Sequence, residues 1–109
     1  MTTSDALHDQ LAEFISIPSV SADSGHTADI AAAAEWVANH IRRTGGTAEL
    51  VPWGSRPLVI GEVAASEKPE SAPTALCYAH FDVQPPDPLD LWESPPFELT
   101  HRDLSLIHI

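Results

Sequence analysis

A chain of 109 residues, 43% hydrophobic and 19% charged, has the size and composition of one small globular domain rather than of a disordered segment. With 5 Lys+Arg against 16 Asp+Glu its formal charge is −11, which repels phosphate backbones and anionic headgroups, so neither nucleic acid nor a membrane surface is an expected partner. A single cysteine, Cys77, excludes an internal disulfide. The start, Met1 to Asp9, lacks the basic and apolar regions of a secretory signal, and no apolar run approaches the ~20 residues of a membrane span; the expected location is cytoplasmic.

The spacing of Leu7, Leu11, Phe14 and Ile15 predicts a helix over 5–16, stopped by Pro18. A small polar loop, 19–27, follows. A second helix is predicted over 28–43. Ile30, Ala33, Ala34, Val37 and Ile41 share its face, Arg42 and Arg43 suit its last turn, and Gly45-Gly46 ends it. Two strands, 47–52 and 57–64, are joined by the turn Trp53-Gly54-Ser55-Arg56-Pro57. After a polar loop, residues 74–81 read as a third strand, apolar on both faces, of the kind found inside a covered sheet. From Gln84 onward Pro85, Pro86, Pro88, Pro95 and Pro96 forbid a helix or central strand, which predicts a long shaped loop. The order helix, helix, strand, strand, strand gives a layered α/β fold with an incomplete sheet, the opening of a larger domain.

The third predicted strand delivers Tyr78-Ala79-His80-Phe81-Asp82-Val83-Gln84-Pro85. Residues two apart on an extended chain point the same way, so the Asp82 carboxylate can reach the His80 imidazole. A metal-bound histidine commonly donates its other N–H to such a carboxylate, which fixes the tautomer. A strand-end histidine beside an acid with no metal has the same spacing, and spacing alone leaves both readings open. His101 and His108 would complete a single-zinc site with His80, but nothing in their spacing orients them. Asp87, Asp90, Glu93 and Glu98 read as a solvated acidic loop, since calcium ligands alternate more densely. His8, His26 and His40 read as surface residues and Trp36, Trp53 and Trp92 as packing groups. Cys77, opposite His80 on the strand, reads as a buried, inert thiol.

Taken with Leu91-Trp92-Glu93-Ser94-Pro95-Pro96-Phe97-Glu98, the His-x-Asp segment resembles the family of two-zinc metallopeptidases that includes carnosinase-like dipeptidases, aminoacylase and succinyl-diaminopimelate desuccinylase. Gln84-Pro85 and the Trp92–Phe97 stretch are most similar to the dipeptidase branch. The likeness extends over residues 5–103 and includes Ile17-Pro18-Ser19-Val20-Ser21 after the first helix. It implies the N-terminal part of an α/β/α catalytic domain over 1–103, with His80 a ligand of one of two zinc ions and Asp82 the catalytic-site acid that orients it. The implied substrate is a dipeptide or an N-acyl amino acid, and the resemblance allows a homodimer of the full-length protein. Ala79 stands where the family generally has glycine. The bridging Asp, the Glu-Glu pair with the general base, and the later ligands belong to segments absent here. Residues 104–109 depart from the pattern; truncation or a change of reading frame is the expected origin. The 109 residues are therefore expected to be inactive alone and to bind zinc weakly. A small acidic α/β module that binds a partner through its sheet edge or proline-rich loop is the non-enzymatic alternative.

Overall fold

The computed structural model describes residues 3–103 and 105–107. Helix α1 spans Thr3–Ile15 and helix α2 spans Thr27–Arg43, each starting one or two residues before its predicted position. In α2, Ile30, Ala33, Ala34 and Ala38 are buried, the three- and four-residue steps of one helical face. Alanine favours helix, and its small side chain lets other elements approach closely. The stripe on α1 is buried only towards its C-terminal end: Ile15 is buried, whereas Leu7 is exposed.

The end of α2 follows from Gly45-Gly46. Gly45 lies at φ 90, a conformation that costs glycine nothing, and its N–H donates to Arg42 O at 3.0 Å while the Gly46 N–H reaches Ile41 O at 3.2 Å. This pair of bonds satisfies carbonyls the last turn would otherwise leave open. The chain then enters β1 (Thr47–Val51), which pairs antiparallel with β2 (Leu58–Glu62), Thr47 opposite Glu62 and Val51 opposite Leu58. Helix α2 packs on this hairpin. The approach is close enough that a Cβ at Gly46 would stand 2.6 Å from Glu62 O, and one at Gly61 would stand 2.7 Å from Ile41 Cδ1.

Residues 74–82 form no regular element and join no ladder among the described residues, in contrast to the strand predicted over 74–81. β-Propensity makes a strand only where a neighbouring backbone supplies hydrogen bonds. The side chains report the same lack of cover, with Leu76 95% and Tyr78 91% exposed. Cys77 is exposed as well, so its reading as a buried thiol is corrected. Trp53, at the turn between β1 and β2, is also exposed rather than packed. An isolated parallel bridge joins Val83 to Val20.

Beyond Gln84 the predicted loop carries more structure than its prolines suggest. A single 3-10 turn occupies Leu89–Leu91. Strand β3 (Thr100–Arg102) pairs antiparallel with β4 (Ser105–Ile107), Thr100 opposite Ile107. Asp103 takes φ 48 in the intervening turn, a left-handed conformation that Asp tolerates better than most residues. The result is a mixed α/β arrangement of helices with two two-stranded sheets, an incomplete sheet as expected. No helix among the described residues is long and apolar enough to cross a membrane.

Candidate metal centre

The site is built where the segment after α1 meets residues 80–83. Pro18 turns the chain out of α1, and Ser19 and Val20 follow in a tight bend whose amides donate to Ile17 O and Pro18 O. Ser19 is buried; its hydroxyl donates to Phe81 O at 2.6 Å, and its carbonyl accepts from the Val83 N–H at 3.0 Å. Val20 is only 2% exposed beneath this contact. Two backbone-directed bonds and one buried side chain therefore hold residues 81–83 in register although no sheet does.

His80 stands at the edge of this clamp. Its Nδ1 lies 3.0 Å from Asp82 Oδ1 and 3.1 Å from Asp82 O. With Nδ1–H donating to a carboxylate, the ring carries its lone pair on Nε2, the arrangement that suits a metal ligand. The His80 side chain is 73% exposed, so that nitrogen is accessible. The two side chains of the His-x-Asp pair thus meet without a ladder.

The second carboxylate oxygen of Asp82 is also engaged, because the Ser21 hydroxyl donates to Oδ2 at 2.6 Å. Arg56 in turn donates through Nη2 to the Ser21 carbonyl at 3.1 Å. The Ser21 hydrogen bond is the main reason the Asp82 carboxyl sits below its ordinary value of 3.8; His80 adds to the effect and partial burial opposes it. Since the folded value is depressed, the stabilisation from this ionised carboxylate is present above about pH 3.8 and is lost as pH falls through the lower folded value. Replacing Ser21 with Ala is expected to move the Asp82 titration upward towards 3.8, read from its side-chain carboxyl carbon by NMR. An unmoved titration would remove Ser21 from the site.

A cleft of about 330 Å³ opens beside the pair, with His80 and Asp82 on one side and Trp92, Pro96 and Phe97 on the other. Trp92 is held in place by its indole N–H, which donates to Pro86 O at 2.7 Å. Arg102 braces the same loop through Glu93 at 3.2 Å and Ser94 at 3.2 Å. One face of the cleft thus offers a ligating nitrogen and an anion, and the other an apolar wall.

Other residues singled out from the sequence lie elsewhere. His101 meets His8, with Nε2 atoms 2.7 Å apart, and His108 lies outside the described residues. Among the described residues no three His, Cys, Asp or Glu side chains come together as a metal-holding group. His26 pairs with Asp29 at 2.7 Å, and His40 stacks on Trp36, which itself stacks on Phe14. Sequence reasoning missed Ser21 and Arg56, and treated Ser19 as loop. The Ile17–Ser21 stretch carried the only signal, as part of a family likeness; a contact across 61 residues leaves none in local spacing.

The donor chemistry fits one zinc ligand: an exposed imidazole whose Nδ1 faces a carboxylate. Comparison with known proteins bears on what such a ligand belongs to. Over 101 residues, 84% of this chain, the sequence is 33% identical to a Cys-Gly metallodipeptidase of Schizosaccharomyces pombe, of which it spans 21%. Over 34 residues, 30% of this chain, it is 62% identical to a succinyl-diaminopimelate desuccinylase of Azoarcus sp., of which it spans 9%. The chain therefore spans about a fifth or less of the length of these curated relatives. No protein-family model matches it.

Proposed function

The chain is related by sequence to the metallopeptidase family that contains succinyl-diaminopimelate desuccinylase and Cys-Gly metallodipeptidase, and from that premise we propose that it is the N-terminal part of a zinc-dependent dipeptidase. The substrate would be a dipeptide or an N-acyl amino acid. The observation that carries the reading is the His80–Asp82 pair, in which Nδ1 is occupied by a carboxylate and Nε2 is left accessible at a cleft.

In this reading His80 holds zinc through Nε2. Bound zinc would polarise the substrate carbonyl and make water more acidic. Asp82 keeps the ring in the ligating tautomer and turned towards the cleft. Ser21 prevents the carboxylate from rotating away, and the Trp92–Phe97 wall excludes water from one side. A catalytic zinc takes about three protein ligands plus an open position. The described residues supply one ligand already oriented for that role, so the 109 residues alone are proposed to be inactive and to bind zinc weakly. The remaining ligands and the general base would come from elsewhere in a longer enzyme.

The test is His80→Ala in the longer enzyme that carries this sequence. Loss of one zinc equivalent, together with a fall in dipeptide hydrolysis of at least a hundredfold, is the expected outcome. Full zinc content and ordinary turnover would sink the reading. Separately, clear dipeptide cleavage by the purified 109-residue chain would contradict the proposed division of the site.

A further inference from the structure

A second group of metal-ligating atoms lies apart from the His80 site. His8, on α1, and His101, on β3, are 93 residues apart in sequence, yet their Nε2 atoms stand 2.7 Å from each other. Their ring centroids are 4.7 Å apart and their planes are inclined by 23°, so the two rings meet edge to edge through these nitrogens. The nitrogen separation is the length of an N–H···N hydrogen bond, in which one ring nitrogen donates and the other accepts; a divalent cation ligated by both nitrogens would take the place of the shared proton. On the far side of His8, Nδ1 lies 3.7 Å from Asp9 Oδ1. That is beyond hydrogen-bond reach, so Asp9 adds negative charge near the pair without fixing the ring as Asp82 does for His80.

We propose that His8 and His101 form a two-histidine site for a borderline divalent cation such as zinc, nickel or copper, joining α1 to the β3–β4 hairpin. With cation–nitrogen bonds of ~2.0–2.1 Å, two ligating nitrogens stand roughly 2.9–3.4 Å apart for bond angles between octahedral and tetrahedral. The observed 2.7 Å needs an opening of only a few tenths of an ångström to reach the short end of that range. His101 is exposed and His8 partly so, which leaves water to fill the other positions. Imidazole suits these metals in preference to calcium or magnesium, and affinity should rise from zinc and nickel towards copper. The formal charge of −11 favours a cation over any anion at this surface. The inference is independent of the role assigned to His80.

Zinc is the probe, titrated calorimetrically into the 109-residue chain carrying His80→Ala, so that failure of either site is seen separately. Zinc is expected still to bind, and adding His8→Ala or His101→Ala should lower the affinity at least tenfold. In the unsubstituted chain, saturating zinc should shift the Nε2 resonances of both His8 and His101 in long-range ¹H–¹⁵N spectra, a readout that does not depend on any variant folding. An affinity loss below tenfold in both variants with unchanged far-UV circular dichroism, or histidine resonances that stay in place, overturns the proposal.

Discussion

Replacing Asp82 with Ala is expected to weaken zinc binding at His80 by about 10–100-fold in the longer enzyme proposed above, the usual consequence of removing a carboxylate behind a metal-bound histidine. The carboxylate does two things here. It accepts from Nδ1 at 3.0 Å, which keeps the lone pair on Nε2, and it resists rotation because Ser21 holds its other oxygen at 2.6 Å. Without it the exposed ring can turn and exchange tautomers, and each lost orientation is subtracted from binding. Asp82→Asn should recover part of the loss, because its carbonyl oxygen can still accept from Nδ1, but it lacks the negative charge behind a cation-holding ring. Competition with a chromophoric chelator gives the affinities. Parent-like binding by Asp82→Ala would show that the acid is a bystander.

The second large effect is on stability. Ile30→Ala is expected to cost about 2–5 kcal/mol, since the side chain is 4% exposed in the centre of the face that α2 buries, and its removal leaves a cavity as well as forfeiting transfer energy. At roughly 4–8 °C per kcal/mol for a domain of this size, the melting temperature should fall by about 8–40 °C. Leu76→Ser is the informative control. Leu76 is an apolar residue of the same size in a more β-prone stretch, yet it is 95% exposed, so the change should stay within about 0.5 kcal/mol. Thermal circular dichroism distinguishes the two. Equal losses would mean that residues 74–82 are covered in solution.

These contrasts show what the sequence made legible. Both helices were readable because Ile30, Ala33 and Ala34 sit at helical spacing and Gly45-Gly46 marks the stop, all of them local signals. The β1–β2 hairpin was readable for the same reason. Residues 74–81 were apolar and β-branched enough to suggest a strand, but a strand needs partners, and composition within one segment does not say whether they are present. The β3–β4 pairing was hidden because its strands are three residues each, below the length at which alternation carries a pattern. In the site, His80 and Asp82 were legible because their relation is two residues long. Ser21 and Arg56 were not, because tertiary structure alone brings them to the pair.

That last arrangement has a mechanical consequence. Arg56 grips the Ser21 carbonyl, Ser21 steadies Asp82, and Asp82 aims His80, so four side chains act in series from a solvent-facing bend to a ligating nitrogen. The bend between β1 and β2 becomes a lever whose far arm is the imidazole. Whatever displaces that bend, whether a docking neighbour or a substitution that shortens the Arg56 fork, would be transmitted as a tilt of the ring.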